Sequence, residues 1–134
     1  MRDYLEQAGV IPYRVVNNSL QVLLITSRSS GDWIVPKVMI DPGFTHQQAA
    51  LQEAYEEAGV RGVLGPLLGH VDTAKGGVPV RLALFSMHVD EVFECWLEQS
   101  FRRRCWFSAK DAASKVRHAG VSRLIKGLLQ QSRL

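Results

Sequence analysis

Long hydrophobic runs are missing from this 134-residue chain. No apolar stretch approaches the roughly 18 residues that a bilayer-spanning helix requires, so no membrane is expected among its partners. The opening MRDYLEQAGV also lacks a hydrophobic signal core, which makes a cytoplasmic location the expectation. Cysteine is scarce: Cys95 and Cys105 form no CxxC pair, their spacing fixes no disulfide, and reduced thiols are the default. His46, His70, His88 and His118 show no metal-ligand spacing and read as surface or packing residues. Repeats and low-complexity segments are absent. So is a large excess of charge of one sign: a net +3 and a pI near 9.1 mildly favour an anionic ligand without choosing its class. A hydrophobic fraction of 46% against 22% charged is that of an ordinary globular chain, and the length suits a single domain, residues 1–134, with a real core.

What is present is an alternation of strand and helix signals. Residues 10–16 and 21–27 read as strands joined across Asn17-Asn18-Ser19, and residues 33–36 as a shorter extended piece. Residues 62–71 and 79–89 are further strands on either side of Lys75-Gly76-Gly77, and residues 104–107 a last one. Ser108 opens a helix to about Arg117, with Asp111 in the first turn where negative charge suits the dipole. Val121, Leu124, Ile125, Leu128 and Leu129 then recur at helical spacing. That amphipathic helix packs on the body or on another subunit, so a homodimer stays open. The class is α/β, a mixed sheet with helices on its faces.

The most informative segment is WIVPKVMIDPGFTHQQAALQEAYEEAGV, residues 33–60. Pro42-Gly43 reads as a turn, Thr45 with Gln48 as a capping box, and Gly59 as a helix stop. On the helix between them, Ala50, Leu51, Ala54 and Ala58 form an apolar arc, and Glu53, Glu56 and Glu57 crowd the flank beside it. Like charges one turn apart destabilise a helix by about 0.2–0.5 kcal/mol per pair. Acidic clusters are usually solvated faces, but a divalent cation explains this one better than stability does. Magnesium suits it, because it takes oxygen ligands and shares them with substrate phosphates.

These residues resemble the box of the Nudix hydrolases: Gly, five residues, Glu, seven residues, Arg-Glu, an aliphatic, any residue, Glu-Glu, any residue, Gly, an aliphatic. Glu53, Glu56, Glu57, Gly59 and Val60 fall on it in register, with Ala54 at the aliphatic position. Trp33 to Lys37 and Asp41-Pro42-Gly43 resemble the segment leading into the box, and Arg103 to Ser108 the basic, aromatic strand before a late helix. Three positions depart: Val38 stands where the family has Gly, Phe44 where it has Glu, and Gln52 where it has Arg. A β-branched Val in place of Gly predicts a strained or reshaped loop at Lys37 and Val38. Gln52 can orient Glu53 by hydrogen bonding but supplies no charge to it.

The resemblance implies an α/β/α sandwich and a hydrolase of a nucleoside-diphosphate-type or other diphosphate-linked compound, acting by attack of water on phosphorus with Mg2+ or Mn2+. It assigns catalysis to Glu53, Glu56 and Glu57. The same three are metal ligands, joined by an acid from a later loop; Glu98 is favoured over Glu91 and Glu94. Arg28, Lys37 and Arg81 are the candidates for binding substrate phosphates. The alternative is a weak or silent ligand-binding module on the same fold. Arg102-Arg103-Arg104 reads as a solvated rim, and nucleic acid is disfavoured as a partner.

Overall fold

The computed structural model describes residues 3–132. Strand β1 (Leu5–Val16) turns into β2 (Ser19–Thr26) through Asn17 and Asn18, whose positive φ angles of 51° and 64° suit a two-residue hairpin turn. Two short strands follow, β3 (Trp33–Ile34) on β2 and β4 (Lys37–Met39) on β1. Of the extended piece read from residues 33–36 only Trp33–Ile34 is strand, and β4, which begins just beyond it, was not read from the sequence. Helix α1 (His46–Ala58) leads into β5 (Val60–Lys75) and β6 (Val78–Val92), joined at Gly76-Gly77. Then come β7 (Arg104–Ser108), α2 (Ala109–Lys115) and α3 (Ala119–Gln131).

The strands form one sheet with the order β3-β2-β1-β6-β5, β4 adding to β1 and β7 to β2. Among the described residues only β1 with β6 is a parallel pair; the others are antiparallel, which makes the sheet mixed. Because side chains alternate along a strand, the sheet has two apolar faces. Ala8, Val10, Leu23, Ile25, Ala83, Phe85 and Met87 meet α1. Ile11, Val22, Leu24, Leu82 and Leu84 meet α2 and α3, which bury Ala112, Val121, Ile125 and Leu128. The architecture is an α/β/α sandwich. The apolar stripe of α3 lies on this chain's own sheet. No helix among the described residues is long and apolar enough to cross a membrane.

Two local readings are corrected. Leu51 is 38% exposed, and Ala49 takes its place in the arc with Ala50, Ala54 and Ala58. An all-alanine contact lets the helix approach the sheet closely, and Leu51 lies outside it. Val38 is not strained either. The only non-glycine residues with positive φ among those described are Asn17 and Asn18, and Val38 pairs with Ala8 as ordinary strand. The close approach is accommodated from the opposite strand by Gly9, where a Cβ would lie 2.3 Å from the Pro36 carbonyl oxygen.

Candidate functional site

Helix α1 presents its acids in a fixed frame. The Thr45 hydroxyl accepts from the Gln48 amide and the Gln48 side chain accepts from the Thr45 amide, each at 3.0 Å, closing the expected capping box. At the other end Gly59, with φ 66° and ψ 39°, turns the chain into β5. The last carbonyls of a helix have no partner within it. Here the connection from β6 to β7 supplies them: Glu98 N donates to Glu56 O (3.1 Å), Trp96 Nε1 to Glu57 O (2.9 Å), Arg104 Nη1 to Ala58 O (2.9 Å) and Phe93 N to Gly59 O (2.8 Å). Residues 93–104 are thereby strapped across the end of α1, and they carry Glu98 and Arg102 to its acids.

Glu53, Glu57 and Glu98 each offer an oxygen within 4.8 Å of the others. Glu57 is buried. Its Oε1 accepts from the Lys37 amide at 2.9 Å and its Oε2 from Arg102 Nη2 at 2.7 Å. Glu98 Oε1 accepts from Arg102 Nε at 2.8 Å. The Glu53 carboxylate makes no hydrogen bond among the described residues. Burial pushes Glu53 up to about 8, with Glu57, Glu56 and Glu98 adding to the rise. Burial also raises Glu57 to about 7, against the pull of Arg102 and the Lys37 amide. Two carboxyls whose ionisation burial opposes, beside a third acid, form a site in which a bound cation would favour the ionised forms.

Glu56 stands apart. It is near enough to raise Glu53, but its Oε2 accepts from Gln52 Nε2 at 3.3 Å and it is not in the close group. Gln52 therefore does not orient Glu53. Glu91 and Glu94 are exposed and also outside the group.

Of the substrate-binding candidates, only Lys37 joins the site. Burial lowers its ammonium pKa while Glu57 opposes the fall. Lys37 also lines a cavity of about 180 Å³, among Trp33, Val35, Asp32, Arg117 and His118. One residue thus touches both the carboxylates, through its amide, and the cavity. Arg28 stacks on Phe101 at 4.1 Å, and Arg81 pairs with Asp72 at 3.4 Å and stacks on Tyr4 at 4.6 Å.

The solvated-rim reading is overturned for two of the three arginines. The Arg102 side chain is 8% exposed and bound to two acids, while Arg104 caps α1 and stacks on Trp96 at 3.9 Å. Arg103 alone is exposed. The Glu98-to-Arg102 spacing of four was the available signal.

Residues 5–127 match the model of the NUDIX domain. The chain is 33% identical over 129 residues to Nudix hydrolase 16, mitochondrial, of Arabidopsis thaliana, covering 83% of this chain and 72% of that one. It is 34% identical over 109 residues to diphosphoinositol polyphosphate phosphohydrolase 3-alpha of Mus musculus, covering 80% and 66%. The fold is like that of a C. elegans Ap4A hydrolase solved as a binary complex, with a TM-score of 0.76 at 23% identity over 91% of this chain and 93% of that one.

Proposed function

The chain belongs to the Nudix family, and from that membership we propose that it is a metal-dependent hydrolase of a diphosphate-linked small molecule, acting by attack of water on phosphorus. The observation that carries this is the convergence of Glu53, Glu57 and Glu98 within 4.8 Å. The donor set is all carboxylate oxygen, which fits Mg2+ or Mn2+ and no soft metal. Bound there, the ion would neutralise phosphate charge and acidify a water.

The chain's own residues do the rest. Glu57 and Glu98 hold the ligand oxygens in place, each fixed by hydrogen bonds. Glu53, whose carboxylate makes no hydrogen bond among the described residues, is the group that takes a proton from water once the bound cation has favoured its ionised form. Glu56, on the same helix, serves as an auxiliary acid. Lys37 lies between the carboxylates and the cavity, where a phosphate chain would pass.

The cavity favours a nucleoside-type substrate over a densely phosphorylated ring. Trp33, Ile34, Val35, Leu82, Val116 and Val121 give it apolar walls. Its cations are Lys37 and Arg117, and Arg117 is already paired with Asp32 at 3.1 Å. A polyanionic ring calls for more positive charge than that. The second reading, a silent binding module, is favoured by Gln52, which brings no cation to Glu53.

Phosphate or nucleotide release should be followed over nucleoside, dinucleoside, sugar and inositol diphosphates with Mg2+ or Mn2+, comparing the protein with Glu53→Gln. Turnover that needs metal and falls about 10²–10⁴-fold in the variant supports the hydrolase. Equal background signals from both proteins point to the binding module.

A further inference from the structure

We propose that Arg102 is a positioning residue that supplies, from the far side of the site, the cation that position 52 lacks. The inference rests on the metal-dependent reading above. In the family box an arginine precedes the first glutamate of the cluster; here Gln52 stands there and turns to Glu56. The acids still need a cation. Three carboxylate oxygens within 4.8 Å repel one another strongly in a partly dry site.

Arg102 meets that need in a built setting. Nη2 reaches Glu57 at 2.7 Å, Nε reaches Glu98 at 2.8 Å, and Nη1 donates to the Thr26 carbonyl at 3.0 Å. Its neighbour Arg103 is tied to the same residue twice, N to Thr26 Oγ1 at 2.8 Å and O to Thr26 N at 2.9 Å. The guanidinium is therefore fixed by the end of β2 and cannot follow a carboxylate that moves. A planar fork anchored this way sets the direction of two carboxylates at once, as a lysine could not.

The geometry separates roles among the acids. Each oxygen of a carboxylate has two lone-pair directions. Glu57 uses one on Lys37 and one on Arg102, leaving the others for a ligand. Glu98 gives one oxygen to Arg102, and its other oxygen makes no hydrogen bond among the described residues. Formal charge agrees: with all three acids ionised, as a bound cation would favour, three carboxylates and one guanidinium leave −2, which a single divalent ion neutralises. A buried ion pair is weak grounds for a stability role. An arginine touching two of three candidate ligands, and anchored by backbone, is better explained by what it does to the ligands.

The test is Mn2+ binding, by calorimetry and by the Mn2+ electron paramagnetic resonance signal, with the metal alone as probe. The proteins are the wild type, Arg102→Met, Arg102→Lys, and Gln52→Arg combined with Arg102→Met. Urea unfolding in EDTA identifies any variant that fails to fold. Arg102→Met should bind Mn2+ about 10–100-fold more weakly, the range for partners that orient metal ligands. Arg102→Lys should fall in between, and returning an arginine to position 52 should recover part of the loss. If Arg102→Met does not fold, Arg102→Lys carries the comparison. Affinity unchanged or tighter in the folded Arg102 variants, with the wild type binding normally, overturns the positioning role alone. A wild type that binds no Mn2+ at millimolar concentration overturns the metal-dependent reading and this inference together.

Discussion

Replacing Gly59 by alanine tests the strap that joins α1 to residues 93–104. Two costs arise and can be separated. The first is conformational: Gly59 has φ 66°, and a side chain in the left-handed region costs about 1–2 kcal/mol. The second is steric. A Cβ at Gly59 would lie 2.6 Å from Arg104 Nη1 and 2.8 Å from Trp96 Cβ and Cγ. Neither neighbour can withdraw freely, because Arg104 donates to Ala58 O and Trp96 to Glu57 O. Forcing atoms into a packed region costs about 1–3 kcal/mol more. Gly76 is the control: its φ is 58° and nothing lies within 4 Å of its would-be Cβ. Urea unfolding should then show Gly59→Ala destabilised by about 2–5 kcal/mol and Gly76→Ala by about 1–2 kcal/mol. Because Trp96 is two residues from Glu98, Gly59→Ala should also lose turnover under conditions where it remains folded. Equal destabilisation of the two variants would refute the steric part of the reasoning. Full turnover in a folded Gly59→Ala would refute the coupling to Glu98.

Two further outcomes follow from burial. Glu53 and Glu57 have folded pKa values of about 8 and about 7 against an ordinary 4.5, so the stability their protonated forms contribute is fully present below about pH 4.5 and is lost as pH rises through 7 to 8. The urea midpoint in EDTA should fall between about pH 6 and about pH 9; a midpoint that rises there contradicts the burial account. Ile125 is wholly buried on the sheet face opposite α1, so Ile125→Ala should cost about 2–5 kcal/mol in the same assay while the Mn2+ affinity of the folded protein is kept. A loss of under about 1 kcal/mol would mean that α3 does not close that face.

What the sequence made legible was local. The capping box at Thr45 and Gln48, the stop at Gly59, the serine cap of α2 and the stripe on α3 each depend on residues within a few positions of one another, and all are present. The site was legible as far as the helix carries it. Glu53 and Glu57 lie four apart and share a face, but the same spacing argument grouped Glu56 with them, and only the wall formed by Glu98 and Arg102 shows which flank the site occupies. Arg102 was hidden because two of its three partners are 45 and 76 residues away; the third, Glu98, is only four residues off but outside any helix, and from the sequence alone a run of three arginines looks the same whether it faces water or acid. The segment's tie to α1 was hidden for a related reason. It is made largely by backbone carbonyls, which every residue has and no side chain advertises.

The three departures from the family box form one change. Val38, Phe44 and Gln52 line a single small cavity of about 40 Å³ together with Glu53. With an acid at 44 and an arginine at 52 that space would hold a further pair of opposite charges beside Glu53; here those three positions give it a phenyl ring, an aliphatic and an amide, and Asp41 also lines it. Losing both charged groups leaves neither one stranded, so the fold tolerates the change. Glu53 bears the consequence. Among the described residues the one cation that lowers its pKa is Arg102, and that influence is weaker than burial and weaker than each of the three neighbouring carboxylates. Arg102 binds Glu57 and Glu98 directly, so it organises the ligands while leaving Glu53 without a close counter-charge. The result divides two tasks that one box arginine could share: holding the acids together passes to Arg102, and Glu53, with no close counter-charge, depends on a bound cation to favour its ionised form.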